Sequence, residues 1–227
     1  PPRVSETVRA LEAHRPCAPA SLPETASEEA RHPLGDAANR QSGRLCKAAS
    51  VDAFPRRCSR RYTLVLDLDE TLIHFKNDAA RPKFLIRPNA YNLLKAASRH
   101  FELIIFTAAQ KEYADWIIDK IDSKNNIVHR LYREHCQMSK TSHLKDLGVL
   151  GRDLSKTLIV DNFADNFSLH RENGLCIRSW YGDLTDNALF LLEKFLVAMA
   201  EAGPADVRKY MRAHVENNPE RGFFRVC

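Results

Sequence analysis

Between residues 62 and 215, short apolar runs alternate with longer helical patterns, and this alternation restricts the fold more than any other feature. Tyr62–Leu66, Phe101–Phe106, Thr157–Val160 and Leu175–Ile177 read as buried strands, and 125–131 leads into another. Helices are predicted between and after them. One starts at Pro88, a residue suited to the first helical turn, and runs to about Ser98. Another covers Glu112–Ile121, with Tyr113, Trp116, Ile117 and Ile118 on or near one face. Two more cover Leu189–Met199 and Ala205–Val215. Strands alternating with helices predict an α/β chain with a Rossmann-like open, mostly parallel sheet and helices on both faces. Such sheets carry their sites at the carboxyl ends of the strands. Asp67, Thr107 and Asp161 end three of these strands and are expected to meet in one crevice.

The polar residues at those ends carry the chemistry. Asp67-Leu68-Asp69 follows an apolar strand, and two carboxylates one residue apart on extended backbone share a face. Like charges so close raise a pKa unless a cation lies between them, and a hard divalent ion with oxygen ligands is the economical solution. Asp-x-Asp alone also occurs by chance as strand-end capping; the strand before it and Thr71 after it favour a site. Thr107 closes the apolar run Phe101–Phe106 and, read alone, caps the next helix. Asp161-Asn162 offers a carboxylate and an amide oxygen, both suited to Mg²⁺.

These motifs together resemble the haloacid-dehalogenase superfamily, and within it the FCP/SCP-like branch of small C-terminal-domain phosphatases. The resemblance spans roughly residues 62–200 and rests on Asp67-Leu68-Asp69-Glu70-Thr71, Phe101–Ala109, Lys145-Asp146-Leu147 with Leu150–Lys156, and Asp161-Asn162. It implies that Asp67 attacks phosphorus and forms an aspartyl phosphate, and that Asp69 acts as general acid, then base. It assigns Thr71, Thr107, Lys145 and Arg133 to the substrate phosphate. Mg²⁺ falls to Asp67, Asp69 (through its backbone carbonyl), Asp161 and Asn162. Family members commonly place Ser-Pro after Asp-Asn, whereas this chain has Phe163-Ala164.

Only sixteen residues separate Thr71 from Pro88, too few for a large cap or for the long strand-rich insertion usual in this branch. An open site of this kind suits a phosphoprotein or phosphopeptide substrate. The same fold also serves in the mitochondrial import receptor subunit of the inner-membrane translocase. A presequence-binding protein is therefore the alternative, although all seven motif positions are retained here.

Residues 1–61 differ in kind. They hold seven of the eleven prolines, with eleven Lys/Arg against seven Asp/Glu. They read as a disordered basic tail with a short helix at most over 4–14, ahead of a phosphatase domain over 62–227. Most of the net charge of +5 sits in that tail, since the rest of the chain carries 23 basic and 22 acidic residues. A nearly neutral body argues against direct nucleic-acid binding. No apolar run is long enough to span a membrane. The six cysteines include no CxxC pair and read as free thiols in a reducing compartment. A nuclear or cytoplasmic monomer is expected, or a mitochondrial protein under the alternative. The first residue is Pro1 rather than Met, so the chain reads as a fragment.

Overall fold

Tyr62–Leu66 forms β1, buried at every position. A strand paired on both edges and covered on both faces has no side left for polar residues, which is why this run is almost wholly apolar. The computed structural model describes residues 60–76, 83–140, 142–215 and 224–226. The helix expected over 4–14 and the rest of 1–59 lie outside them.

The elements follow in order as β2 (Ile73–Lys76), β3 (Lys83–Ile86), α1 (Ala90–Ala97), β4 (Phe101–Phe106), α2 (Lys111–Ile121) and β5 (Ile127–Leu131). Then come β6 (Gln137–Met138), β7 (His143–Leu144), β8 (Thr157–Asp161), β9 (Gly174–Ile177), α3 (Ala188–Ala202), α4 (Val207–Val215) and β10 (Phe224–Val226). The main sheet runs β10-β9-β8-β1-β4-β5. Its strands are parallel except β10, which pairs antiparallel with β9. The predicted open, mostly parallel sheet is therefore present.

The period-two alternation of each central strand separates two cores. Leu64, Leu66, Leu103, Ile105, Leu158 and Val160 pack with Leu93 and Leu94 of α1, Ile117 of α2, Leu192 and Leu196 of α3, and Met211 of α4. Val65, Ile104, Phe106 and Ile159 face the other way, onto Leu147, Leu150 and Phe167. Those last three belong to 3₁₀ segments, Leu147–Leu150 and Ala164–Asn173. Helices cover both faces as expected, but α-helices take one face and 3₁₀ turns the other.

Topology explains the division. From β1 the chain steps through α1 to β4 and through α2 to β5, in one direction across the sheet. It then returns to β8, on the far side of β1, and steps away to β9. Right-handed crossovers made in opposite directions cover opposite faces. The direction reverses between β1 and β8, and the carboxyl ends of strands at such a switch point border a crevice.

The short segment between Thr71 and Pro88 contains the antiparallel β2–β3 hairpin. Phe75 stacks edge-on against Tyr113 (5.5 Å) and Phe84 against Trp116 (5.1 Å), which attaches the hairpin to α2. Arg87 closes it. Its guanidinium donates to both carboxylate oxygens of Asp186 (2.8 and 3.0 Å) and to the Thr71 carbonyl (3.1 Å). Both side chains of this pair are almost wholly buried. Removing one partner of a buried pair strands the other charge, so Arg87→Leu is expected to destabilise the protein by about 3–5 kcal/mol. Urea unfolding checks this, and a loss below ~1 kcal/mol would show that the pair contributes little.

Candidate active site

The first carboxylate is fixed at the seam of two strands. The Asp67 amide donates to the Val160 carbonyl of β8 (2.9 Å). The chain then turns sharply, with the amides of Thr71, Leu72 and Ile73 all donating to the Leu68 carbonyl (3.4, 2.9 and 3.2 Å). Glu70 takes a left-handed conformation (φ 56°) within this turn, uncommon for a residue with a side chain. Its amide is held by the Ile73 carbonyl (2.7 Å). Asp67 and Asp69 thus open onto the same cleft, of about 540 Å³.

Five of the residues expected from the sequence line that cleft: Asp67, Asp69, Thr107, Arg133 and Asn162. The other three, Thr71, Lys145 and Asp161, lie fully buried and form a layer under Asp67. The Lys145 ammonium donates to Asp67 Oδ1 and to Asp161 Oδ2, both at 2.6 Å. The Thr71 hydroxyl donates to Asp67 Oδ2 (2.8 Å). Each oxygen of Asp67 therefore has a donor fixing its position, and Thr71 spends its hydroxyl on the carboxylate. Asp161 is held from several sides: Oδ1 accepts from the Phe163 amide (2.8 Å) and from Asn166 Nδ2 (3.1 Å).

Local structure places Lys145 as firmly as its partners. Its amide donates to the Asn166 carbonyl (2.5 Å). Asp146 beside it accepts from the Gly148 amide (2.8 Å), capping Leu147–Leu150, and pairs with His170 Nε2 (2.7 Å). On the opposite wall, the Thr107 amide donates to the Leu131 carbonyl (3.0 Å), and Thr107 Oγ1 accepts from the Ala109 amide (3.0 Å). That arrangement leaves the Thr107 hydroxyl hydrogen to donate. Arg133 is tied to the same loop, its Nε donating to the Ala108 carbonyl (2.6 Å). Its exposed guanidinium stands at the cleft.

Burial, and after it the neighbouring Asp161 carboxylate, push Asp67 up to about 7, against the pull of Lys145 and Thr71. Burial by itself pulls a lysine down, but Asp161 and Asp67 overrule it and hold Lys145 above its ordinary value. Asp69 is also raised, chiefly by burial, although the Tyr113 hydroxyl donates to its Oδ1 at 2.6 Å and opposes the shift.

The charges show what the site can hold. Asp67, Asp69 and Asp161 gather around one buried cation, so a further positive charge fits here. Among the described residues no three His, Cys, Asp or Glu side chains cluster as ligands. The donors facing the cleft are hard oxygens of mixed kind: the Asp67 carboxylate, the Asp69 region and the Asn162 amide. Asn162 Nδ2 donates to Ser179 (2.9 Å), which turns its Oδ1 into the available atom. Such a set suits Mg²⁺, which binds through one or two carboxylates and takes its remaining oxygens from water and phosphate.

Residues 62–208 match the NLI interacting factor-like phosphatase family. The chain belongs to that family. CTD small phosphatase-like protein 3 of Caenorhabditis elegans is 41% identical over 173 residues, 69% of this chain and 60% of its own length. CTD nuclear envelope phosphatase 1B of Danio rerio is 34% identical over 184 residues, 70% of this chain and 74% of its own length. A solved structure of a variant of the fission yeast RNA polymerase II CTD phosphatase Fcp1, bound to beryllium fluoride, is 20% identical with a TM-score of 0.45. It covers 67% of this chain and 55% of its own. The chain spans 60%, 30% and 50% of the length of three of the curated relatives it matches.

Three residues of this NLI interacting factor-like phosphatase cleft escape a reading of the sequence. Tyr113 looks like one more apolar position of α2, yet its hydroxyl reaches Asp69. Asn166 lies in a polar run with no periodicity; its only sequence signal is its closeness to Asp161-Asn162. Glu70 lines the cleft because of its left-handed backbone.

Proposed function

We propose that the chain is a Mg²⁺-dependent phosphoserine/phosphothreonine protein phosphatase working through an aspartyl phosphate on Asp67. The observation that carries this reading is the setting of Asp67. A carboxylate at the switch point of a parallel sheet opens into the cleft, with a donor fixed on each oxygen.

In the first step an Asp67 oxygen bonds to phosphorus and the ester P–O bond breaks. The leaving oxygen takes its proton from Asp69, whose proton affinity burial raises. In the second step Asp69 accepts a proton from water, the water oxygen bonds to phosphorus, and Asp67 leaves as a carboxylate with inorganic phosphate as product. Lys145, beside the attacking oxygen, offsets charge on the transferring group. Thr107 donates its hydroxyl to a phosphoryl oxygen, and Arg133 meets the substrate at the cleft. Thr71 positions Asp67. The Asp67 carboxylate, the Asp69 carbonyl and Asn162 Oδ1 would hold Mg²⁺, with Asp161 supporting them through Lys145. When bound, the ion offsets the repulsion between an anionic nucleophile and an anionic phosphate.

The hairpin between Thr71 and Pro88 leaves the cleft open, which supports a protein segment as substrate rather than an enclosed small molecule. Relatives named as CTD phosphatases support the same substrate class. They do not favour the presequence-binding alternative. We assign 62–227 to the phosphatase domain, 1–61 to a basic tail, and the protein to the nucleus or cytoplasm as a monomer. No helix among the described residues is long and apolar enough to cross a membrane.

The test is hydrolysis of an aryl phosphate and of a phosphoserine peptide with Mg²⁺, with EDTA, and after Mg²⁺ is restored. Turnover should vanish with EDTA and return with Mg²⁺, and kcat/KM should be higher for the peptide. Folded, metal-loaded protein that cleaves neither substrate overturns the proposal.

A further inference from the structure

We propose that a basic pocket at the opposite end of the sheet from the cleft binds a compact polyphosphate group, carried free or on a lipid headgroup. Parallel strands give a sheet two unlike ends. Asp67 and Thr107 follow β1 and β4 at one end; Arg60 and Arg61 precede β1, and Arg99 and His100 precede β4, at the other. These four line a pocket of about 290 Å³ together with Tyr62 and Ala200, and its wall contains no carboxylate.

Part of this cluster has a structural explanation. Arg61 donates to the Gly203 carbonyl (2.7 Å) and lies over the Tyr62 ring (5.3 Å). Lys156 donates to the Pro204 carbonyl (2.7 Å) and approaches the same ring (5.4 Å). Both satisfy carbonyls at the carboxyl end of α3, where the helix dipole favours cations. That account does not reach Arg99, an exposed side chain with no hydrogen bond or ion pair to any described residue. Several cations around one concavity repel each other, and an anion among them reverses the sign of that energy.

The sequence reinforces the charge. Arg56 and Arg57 lie a few residues before Arg60 in the chain, so four of the six residues from 56 to 61 are arginine. Beyond residue 61 the chain is nearly neutral, so the positive field is local. A local field in a small concavity suits a compact ligand, whereas nucleic acid needs an extended basic track. Guanidinium groups pair in a planar, two-pronged geometry with carboxylate and phosphate oxygens alike, and several cations around one small concavity match the multiple charges of a polyphosphate better than the single charge of a carboxylate.

The test is calorimetric titration of the full chain with inositol hexakisphosphate, and its sedimentation with phosphatidylcholine vesicles with or without phosphatidylinositol bisphosphate. Arg99→Glu should weaken binding about tenfold or more, as loss of a charged contact does. Arg99→Gln should give a smaller loss with an unchanged melting temperature. Arg133→Glu, at the catalytic cleft, should leave this binding in place. Pelleting that needs the phosphoinositide and falls in Arg99→Glu identifies a lipid headgroup; binding of the free compound alone identifies a soluble ligand. Binding that is absent, indifferent to Arg99→Glu, or lost in Arg133→Glu instead overturns the proposal.

Discussion

Asp67→Asn is expected to reduce kcat by about 10⁴-fold or more while leaving the fold intact, because it removes the proposed nucleophile and opens no cavity. The neighbours explain why the fold tolerates it. The asparagine carbonyl can take the place of Oδ1 against Lys145, and its NH₂ can donate to the Thr71 hydroxyl, which then reverses its role from donor to acceptor. Circular dichroism and the melting temperature should therefore stay near those of the parent. The sensitive readout is acid-stable ³²P on the protein after quenching with labelled phosphopeptide. The parent should retain label and the variant none. Equal labelling of both proteins would move the nucleophile to another residue.

Lys145→Met is expected to destabilise the metal-free protein by about 3–5 kcal/mol, the usual penalty for stranding a buried charge. Two charges are stranded at once, since the ammonium bridges Asp67 and Asp161. Methionine roughly keeps the volume, so the loss reports electrostatics and not a cavity. The sign with pH follows. Asp67 is already raised in the folded protein and loses the ammonium that holds it down, so its folded-state value rises further and the folded state binds a proton more readily than the unfolded one. The deficit is then smallest on the acid side and grows as pH rises through the folded value. Urea unfolding in EDTA, at mildly acidic and mildly alkaline pH, measures this. Adding Asp161→Asn should recover part of the stability and none of the activity. A deficit that is constant across pH would show that packing, not charge, is what Lys145 supplies.

What the sequence makes legible here depends on how strongly burial constrains each segment. β1, β4 and β8 are buried on both faces, and nothing but near-continuous apolar runs can fill them. The four α-helices show their apolar faces for the same reason. The β2–β3 hairpin is half-buried, and its short runs IHFK and KFLI carry little signal. The 3₁₀ layer carries still less: Ala164–Asn173 contributes few buried residues and has no helical stripe to read. At the site, Asp67 and Asp69 stand out because the backbone alone puts them together. The division of labour between Asp161 and Asn162 does not, because adjacent residues share one motif while their side chains part. Asp161 turns under the cleft to Lys145 and Asn166, and Asn162 lines the cleft itself.

The return of the chain from β5 to β8 also has a consequence for how the molecule assembles. β1 connects to β4 through residues 67–100 and β4 to β5 through 107–126, both much shorter than the excursion from β1 to β8, so these pairings close at the smaller entropic cost. Pairing of Thr63 with Thr157 joins segments far apart in the chain and is the slower event. Lys145 and Asp161 both arrive with that second half. In a chain with only its first half in place, Asp67 has the Thr71 hydroxyl but neither Lys145 nor the cover of β8. The donor on its second oxygen and the burial that raises its proton affinity come together when the two halves of the sheet meet.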